Sequence, residues 1–386
     1  MIGAIISVAC VMAALLVAFL ALECFIGSTR LRRSDDRAGA APPFIVLMPA
    51  HDEQLGIGRT IRAVMAQLRT GDRLIVVADN CSDDTAAIAQ SLGAEVLERS
   101  DPALRGKGYA LEFGRAELRG QDGQVMIILD ADCIPQPGAL IRLASRAAAE
   151  QAVVQGAYLL TPSPSASTNV RLSSFAFMIK NLTRQRGLQR LAGAALLQGS
   201  GMAFPRHIFD TIQWRAASLV EDLDMGLDLL LAGERVIFDD RAMILSDASS
   251  ESGTAGQRRR WEHGMLHSMA RYAFPLLGQA LEGRPRLALV GLDLLIPPTV
   301  ILICGAVLTL TIGVVALGPS TPVWSLLAAL AALAVALASA WRADGRDLLP
   351  ASHIGRLPAY IVWKLPIAAS FLTQRENKWI RTEREP

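Results

Sequence analysis

The strongest constraint in this chain is an uncharged run of 21 residues, Ile2 to Leu22. As a helix rising 1.5 Å per residue, such a run crosses the roughly 30 Å hydrocarbon core of a bilayer. A cleaved leader wants a basic start and a shorter apolar stretch. This chain opens Met-Ile-Gly-Ala, without charge, so a retained transmembrane helix is expected over residues 1–26. Arg30, Arg32, Arg33 and Arg37 follow it directly. Basic residues stay on the cytoplasmic side, which places the middle of the chain in the cytoplasm.

A second uncharged block runs from Leu294 to Leu317, with Pro297 and Pro298 near its start, where a kink is expected. The uncharged loop Gly318 to Pro322 separates it from the apolar run Val323–Trp341, after which Arg342 and Arg346 return the chain to the basic side. Two further spans are therefore expected within 287–341. Leu357 to Leu372 is only 16 residues and contains Lys364. It reads as an interfacial helix in a segment 355–386 that ends as a cytoplasmic tail, with a fourth span left open. The expectation is a multi-pass protein of the inner (plasma) membrane, with the lipid bilayer as a partner.

The 52% hydrophobic content concentrates at the two ends, and residues 40–280 have the charge of an ordinary soluble domain. A net charge of +2 gives no electrostatic footprint for nucleic acid. The five cysteines share no zinc-like spacing and read as reduced and structural. Phe44–Met48, Arg73–Ala78 and Val125–Leu129 are short apolar runs of strand type. Helical patterns such as Gly58–Leu68 and Thr85–Leu92 lie between them, so a mostly parallel α/β sheet covered on both faces is expected.

Ligands of such sheets gather beyond the carboxyl ends of the strands. There the chain carries His51, Asp52 and Glu53, then Asp79, Asn80, Asp83 and Asp84, then Asp130 and Asp132. Asp83 or Asp84 before Thr85 reads equally well as a helix cap. In Asp130-Ala131-Asp132, an extended backbone aims both carboxylates one way. They repel unless a hard cation, Mg²⁺ or Mn²⁺, joins them; a solvated surface turn is the plainer alternative. Arg105-Gly106-Lys107-Gly108 looks like part of a P-loop but lacks the earlier Gly and the following Ser or Thr, which argues against ATP hydrolysis.

Taken in order, Pro49-Ala50-His51-Asp52-Glu53, Asp79, Arg105-Gly106-Lys107-Gly108, Asp130-Ala131-Asp132, Glu221-Asp222 and Gln257-Arg258-Arg259-Arg260-Trp261 resemble the family 2 inverting glycosyltransferases. The likeness is to their membrane branch, which includes cellulose, chitin, hyaluronan and poly-N-acetylglucosamine synthases and ceramide glucosyltransferase. It covers roughly residues 43–270. The resemblance implies a GT-A type, Rossmann-like domain carried by transmembrane helices. It also implies site residues. Asp79 meets the uracil of a UDP-sugar, His51 and Glu53 line that pocket, and Lys107 lies near the diphosphate. Asp130 and Asp132 hold nucleotide and metal, with Asp132 the closer ligand. Asp222 is the catalytic base beside Glu221. Gln257, Arg260 and Trp261 border the diphosphate and the acceptor, and Gly199-Ser200-Gly201 lines the acceptor side. Val220, Ala78 and Cys81 stand where the family often has Thr, Asp and Ser.

The function so implied is hexosyl transfer from a nucleotide diphosphate sugar to a saccharide acceptor, in exopolysaccharide or cell-envelope polysaccharide synthesis. Two alternatives stay open: transfer of one sugar to a lipid such as a polyprenyl phosphate or ceramide, and a non-catalytic scaffold that binds nucleotide sugar. Three spans are few for a one-chain channel, which leaves room for a partner membrane subunit.

Overall fold

The structure is a computed structural model that describes residues 1–30, 41–121, 123–212, 214, 220–249 and 251–363, with only the backbone described for 251–260 and 262. The chain forms two compact units that interleave in sequence.

One unit comprises described residues of 41–163 and 195–249. Its strands are β1 (Phe44–Ala50), β2 (Arg73–Asp79), β3 (Glu95–Arg99), β4 (Val125–Ile128), β5 (Cys133–Pro135), β6 (Val153–Thr161), β7 (Met202–Pro205) and β8 (Val236–Asp247). They make one eight-stranded mixed sheet in the order β3-β2-β1-β4-β7-β6-β8-β5. The expected parallel core is its first half: β1 lies between β2 and β4, with Met48 opposite Val76 and Leu47 opposite Ile128. Phe44 to Met48 are all buried. Since successive side chains on a strand point to opposite faces, this strand is covered on both. The helix Lys107–Glu117 supplies one cover; a Cβ on Gly114 would lie 2.8 Å from Leu47. Beyond β4 the sheet turns mixed. β7 runs antiparallel to β4 and β6, and β5 antiparallel to β8. β6 and β8 are parallel with a register shift at Gly156, where a Cβ would meet the Ala242 carbonyl at 2.6 Å.

The other unit comprises Met1–Arg30, Pro164–Ala194 and described residues of 251–363. Three of its helices are long and apolar enough to cross a membrane: Ile2–Gly27, Thr299–Leu317 and Thr321–Gly345, the last ending in a π-helical turn, Trp341–Gly345. The two prolines act more strongly than the expected kink. They separate the helix Pro285–Leu294 from the next, for which Pro298 is the N-cap residue before Thr299. A helix Thr168–Met178 continues through a π-helical stretch, Ile179–Arg184, into Gln185–Ala192. Arg184 bridges Glu23 of the first helix, at 3.3 Å, and Asp293, while Arg186 pairs with Asp344 at 2.6 Å. Each bridge ties a sequence-distant helix to this segment. The interfacial stretch expected over Leu357–Leu372 is helical through 357–363, and its remainder lies outside the described residues.

Candidate active site

The loops after β1, β2 and β4 emerge on one edge of the sheet unit, because these strands are parallel neighbours. Asp130 to Cys133 is a tight turn closed by the Cys133 amide donating to the Asp130 carbonyl at 3.0 Å. This corrects the extended backbone expected there. The turn brings the Asp130 and Asp132 oxygens and the Cys133 sulfur within 4.8 Å of one another. Asp132 is held on both oxygens: Ser246 Oγ donates to Oδ2 at 3.2 Å and the Cys133 thiol to Oδ1 at 3.5 Å.

Lys107 reaches this turn from the start of its helix. Its Nζ lies 2.5 Å from Asp130 Oδ1 and donates to the Gly199 carbonyl at 2.6 Å. The loop around Gly199 is fixed from beneath by the fully buried Gln155. Gln155 Oε1 accepts the Gln198 amide at 2.9 Å, and its Nε2 donates to the Ser200 carbonyl at 2.9 Å. Ser200 Oγ in turn accepts the Asp130 amide at 3.1 Å. Gly199 sits at φ +90°, and a Cβ there would lie 3.2 Å from Asp222 Oδ2 and 3.5 Å from Lys107 Nζ. Lys107, Asp130, Gly199, Ser200 and Asp222 thus form one constellation, with Gly201 anchored beside it through its amide on the Ile128 carbonyl.

Glu221 and Asp222 open the helix Glu221–Ala232, where acidic side chains complement the positive helix N-terminus. The electrostatics are crowded. Burial pushes the Asp130 carboxyl up, the Lys107 ammonium opposes that, and Asp132 adds to it. Burial, then the charge of Asp222, pushes Glu221 up to about 7. For Lys107 burial disfavours the charge, but Asp130 and Glu221 outweigh it and hold the ammonium above its ordinary value. Burial, then the Asp132 and Asp130 charges, pushes the Cys133 thiol up.

On the β2 side, His51 Nδ1 donates to the Asp79 carbonyl at 2.7 Å. A carbonyl only accepts, so Nδ1 carries the proton. Asp79 Oδ1 receives Arg99 at 2.5 Å and Asn80 Nδ2 at 3.0 Å. The Glu53 amide donates to Thr85 Oγ1 at 2.8 Å. Asp83 closes the turn by accepting the Thr85 amide at 3.0 Å and the Gln54 amide at 3.1 Å. That is the structural alternative weighed for this acid. Arg99, Gln155, Cys133 and Ser246 were missed in the sequence. Only Arg99 left a trace, as the last residue of a strand directly opposite Asp79.

Gln257, Arg260 and Trp261 lie on the helix Glu251–Gly278, in the other unit. The Gln257 and Arg260 side chains fall outside the described residues. The Trp261 ring packs tilted against Phe177, with centroids 5.4 Å apart, and Phe177 belongs to the same unit.

Residues 42–264, more than half of the chain, match the family model described as "Glycosyltransferase like family 2". A Bacillus subtilis (strain 168) protein named "Probable glycosyltransferase YdaM" is 27% identical over 248 residues, 60% of this chain and 57% of that protein. The low-salt glycan biosynthesis hexosyltransferase Agl6 of Haloferax volcanii is 37% identical over 97 residues, 24% of this chain and 22% of that one. The chain thus spans less than three fifths of the length of the curated relatives it matches. Among solved structures, the mannosyltransferase PcManGT from Pyrobaculum calidifontis, in complex with GDP-Man and Mn²⁺, has a TM-score of 0.61 at 17% identity. That match covers 97% of this chain and 100% of that one, and the likeness is one of fold. With its sheet unit in the GT-A fold and a single family model running from before β1 to beyond β8, the chain belongs to glycosyltransferase family 2.

Proposed function

We propose that this chain is a membrane-bound, inverting hexosyltransferase that moves a sugar from a nucleotide diphosphate sugar, a UDP-sugar on the family resemblance, to a saccharide acceptor in exopolysaccharide or cell-envelope polysaccharide synthesis. The observation that carries this reading is the adjacency of Asp222 to Gly199, whose carbonyl accepts from Lys107, with Lys107 bound in turn to Asp130. A carboxylate able to take a proton then lies beside groups able to hold a diphosphate. On the family resemblance, His51, Glu53 and Asp79 line the nucleotide side and Gly199 to Gly201 the acceptor side.

The donor set fits a hard divalent ion, because the Asp130 and Asp132 carboxylates converge and a carboxylate oxygen that accepts a hydrogen bond can still ligate a cation. Asp130 and Asp132 would hold Mg²⁺ or Mn²⁺, with Asp132 the closer ligand; PcManGT carries Mn²⁺ with its nucleotide sugar. When bound, the ion neutralises charge growing on the departing diphosphate. Lys107 orients that diphosphate by its fixed charge. Asp222 accepts the acceptor hydroxyl's proton as the oxygen attacks from the side opposite the leaving group, so one displacement inverts the anomeric carbon. Glu221, at about 7, has the affinity for a proton that a general base wants. Geometry favours its neighbour, whose Oδ2 lies against Gly199.

The test compares Asp222→Asn with Glu221→Gln in native membranes supplied with UDP- and GDP-sugars. Transfer by Asp222→Asn should fall by roughly 10²–10⁴-fold, the share that general base catalysis supplies. Donor binding should change little, since the base acts in the transition state. A near wild-type rate in folded Asp222→Asn, with loss in Glu221→Gln, would move the base to Glu221. Product size separates a lengthening saccharide from a single sugar on lipid.

A further inference from the structure

Ser246 lies on β8, 114 residues along the chain from Asp132, yet the antiparallel register sets it directly opposite Cys133. Residues opposite one another in such a pair present their side chains to the same face. Both are buried, Ser246 at 4% and Cys133 at 0% exposure. Each spends its one hydrogen on the same carboxylate, Ser246 on Oδ2 at 3.2 Å and Cys133 on Oδ1 at 3.5 Å. A carboxylate oxygen has two lone pairs, so one that accepts a hydrogen bond can also ligate a cation. Donors on both oxygens restrict the rotation of the carboxyl group and so fix the direction in which it can ligate. Tyr158, hydrogen-bonded to Cys133 and itself buried, backs the thiol.

We propose that Ser246 and Cys133 form a cross-strand clamp whose work is to orient Asp132 as a ligand for a divalent cation. This rests on the reading that Asp130 and Asp132 hold a metal. Neither clamp residue touches sugar or nucleotide; both are positioning residues that act through Asp132. Outer-shell partners of this type typically change metal affinity by 10–100-fold when removed.

The experiment measures Mn²⁺ binding by electron paramagnetic resonance on the purified full chain in detergent, with UDP and separately with GDP present. Melting temperature is recorded for every variant. Ser246→Ala and Cys133→Ala should each weaken Mn²⁺ binding by about 10–100-fold. Ser246→Thr and Cys133→Ser, which keep a donor, should stay within a few-fold of wild type. A merely structural role would lower melting without this split between conservative and donor-free variants. Wild-type Mn²⁺ affinity in a folded Ser246→Ala would overturn the clamp. So would a sulfur-to-metal charge-transfer band on Co²⁺ substitution, which would make Cys133 a ligand and not a donor. If wild type shows no Mn²⁺ binding that Asp132→Ala removes, the metal reading itself fails, and the clamp falls with it by a distinguishable route.

Discussion

Asp239 shows what one residue of this sheet contributes away from the candidate chemistry. It is fully buried on β8 and accepts Arg142 Nε at 2.8 Å, the Arg241 amide at 3.0 Å and a contact from Arg146 at 3.1 Å. Burial alone would raise its pKa, but the Arg142 hydrogen bond and the two guanidinium charges more than reverse that and hold it below the ordinary carboxylate value. A depressed folded-state pKa contributes stability that is present above the unfolded value of about 3.9 and is lost as pH falls through the folded value. Asp239→Asn should cost roughly 2 kcal/mol, less than the ~3–5 kcal/mol of a fully buried pair because Arg142 and Arg146 are partly exposed. Thermal melting in detergent at pH 7 should drop by several degrees, and the gap to wild type should narrow below about pH 4. A gap that is constant with pH would show that lost packing, not lost charge, is the cause.

At the scale of elements, the tightest glycine joint among the described residues is the crossing of the helix Ile2–Gly27 with the continuous segment 179–192. A Cβ on Gly187 would meet the Glu23 carbonyl oxygen at 2.4 Å, and one on Gly27 would meet the Thr183 carbonyl oxygen at 1.8 Å. These are backbone atoms within helices, so neither can yield locally, and the small residues are what let the backbones touch. Gly187→Ala should cost at least the upper end of the ~1–3 kcal/mol usual for overpacking. Gly305→Ala, in the helix Thr299–Leu317 with nothing within 4 Å of the added methyl, should be neutral or stabilise by about 0.5–1 kcal/mol. Equal melting temperatures for the two variants would refute the close crossing. Nothing in the residues around Gly27 or Gly187 announces this joint, because it depends on which distant helix arrives there. The strands tell the opposite story. β1, β2 and β4 were legible because continuous apolar runs such as Phe44–Met48 declare burial on both faces. β7 and β5, of four and three residues, are too short to show a period. Lys107, Asp130 and Asp222 could be named from local motifs. Ser246 and Gln155 could not, since their partners are set by strand register alone.

For the whole molecule, we read the three apolar helices as membrane spans, and that reading has a sidedness. Arg30, Arg32, Arg33 and Arg37 follow the first; Arg284 and Arg286 precede the second; Arg342 and Arg346 follow the third. The connection between the second and third, 318–320, has no charge and only three residues. If the first helix crosses once, the chain from 41 to 298 stays on its basic side. The second and third helices then cross out and back. All eight arginines fall on that one side, as the retention of Lys and Arg in the cytoplasm requires. The reversed arrangement would export every one of them and leave the uncharged turn inside. Reporter fusions after Gly283 and within the turn at Gly318 should therefore lie on opposite sides, with the Gly283 reporter cytoplasmic. Replacing Arg30, Arg32, Arg33 and Arg37 together by Ala should raise the inverted fraction, because those charges stand nearest the first helix and act first during insertion. The two fusions reporting the same side would refute the three-span arrangement. A Gly283 reporter found outside, with the turn inside, would keep the spans and reverse the orientation, and the sheet unit would then face away from a cytoplasmic supply of nucleotide sugar.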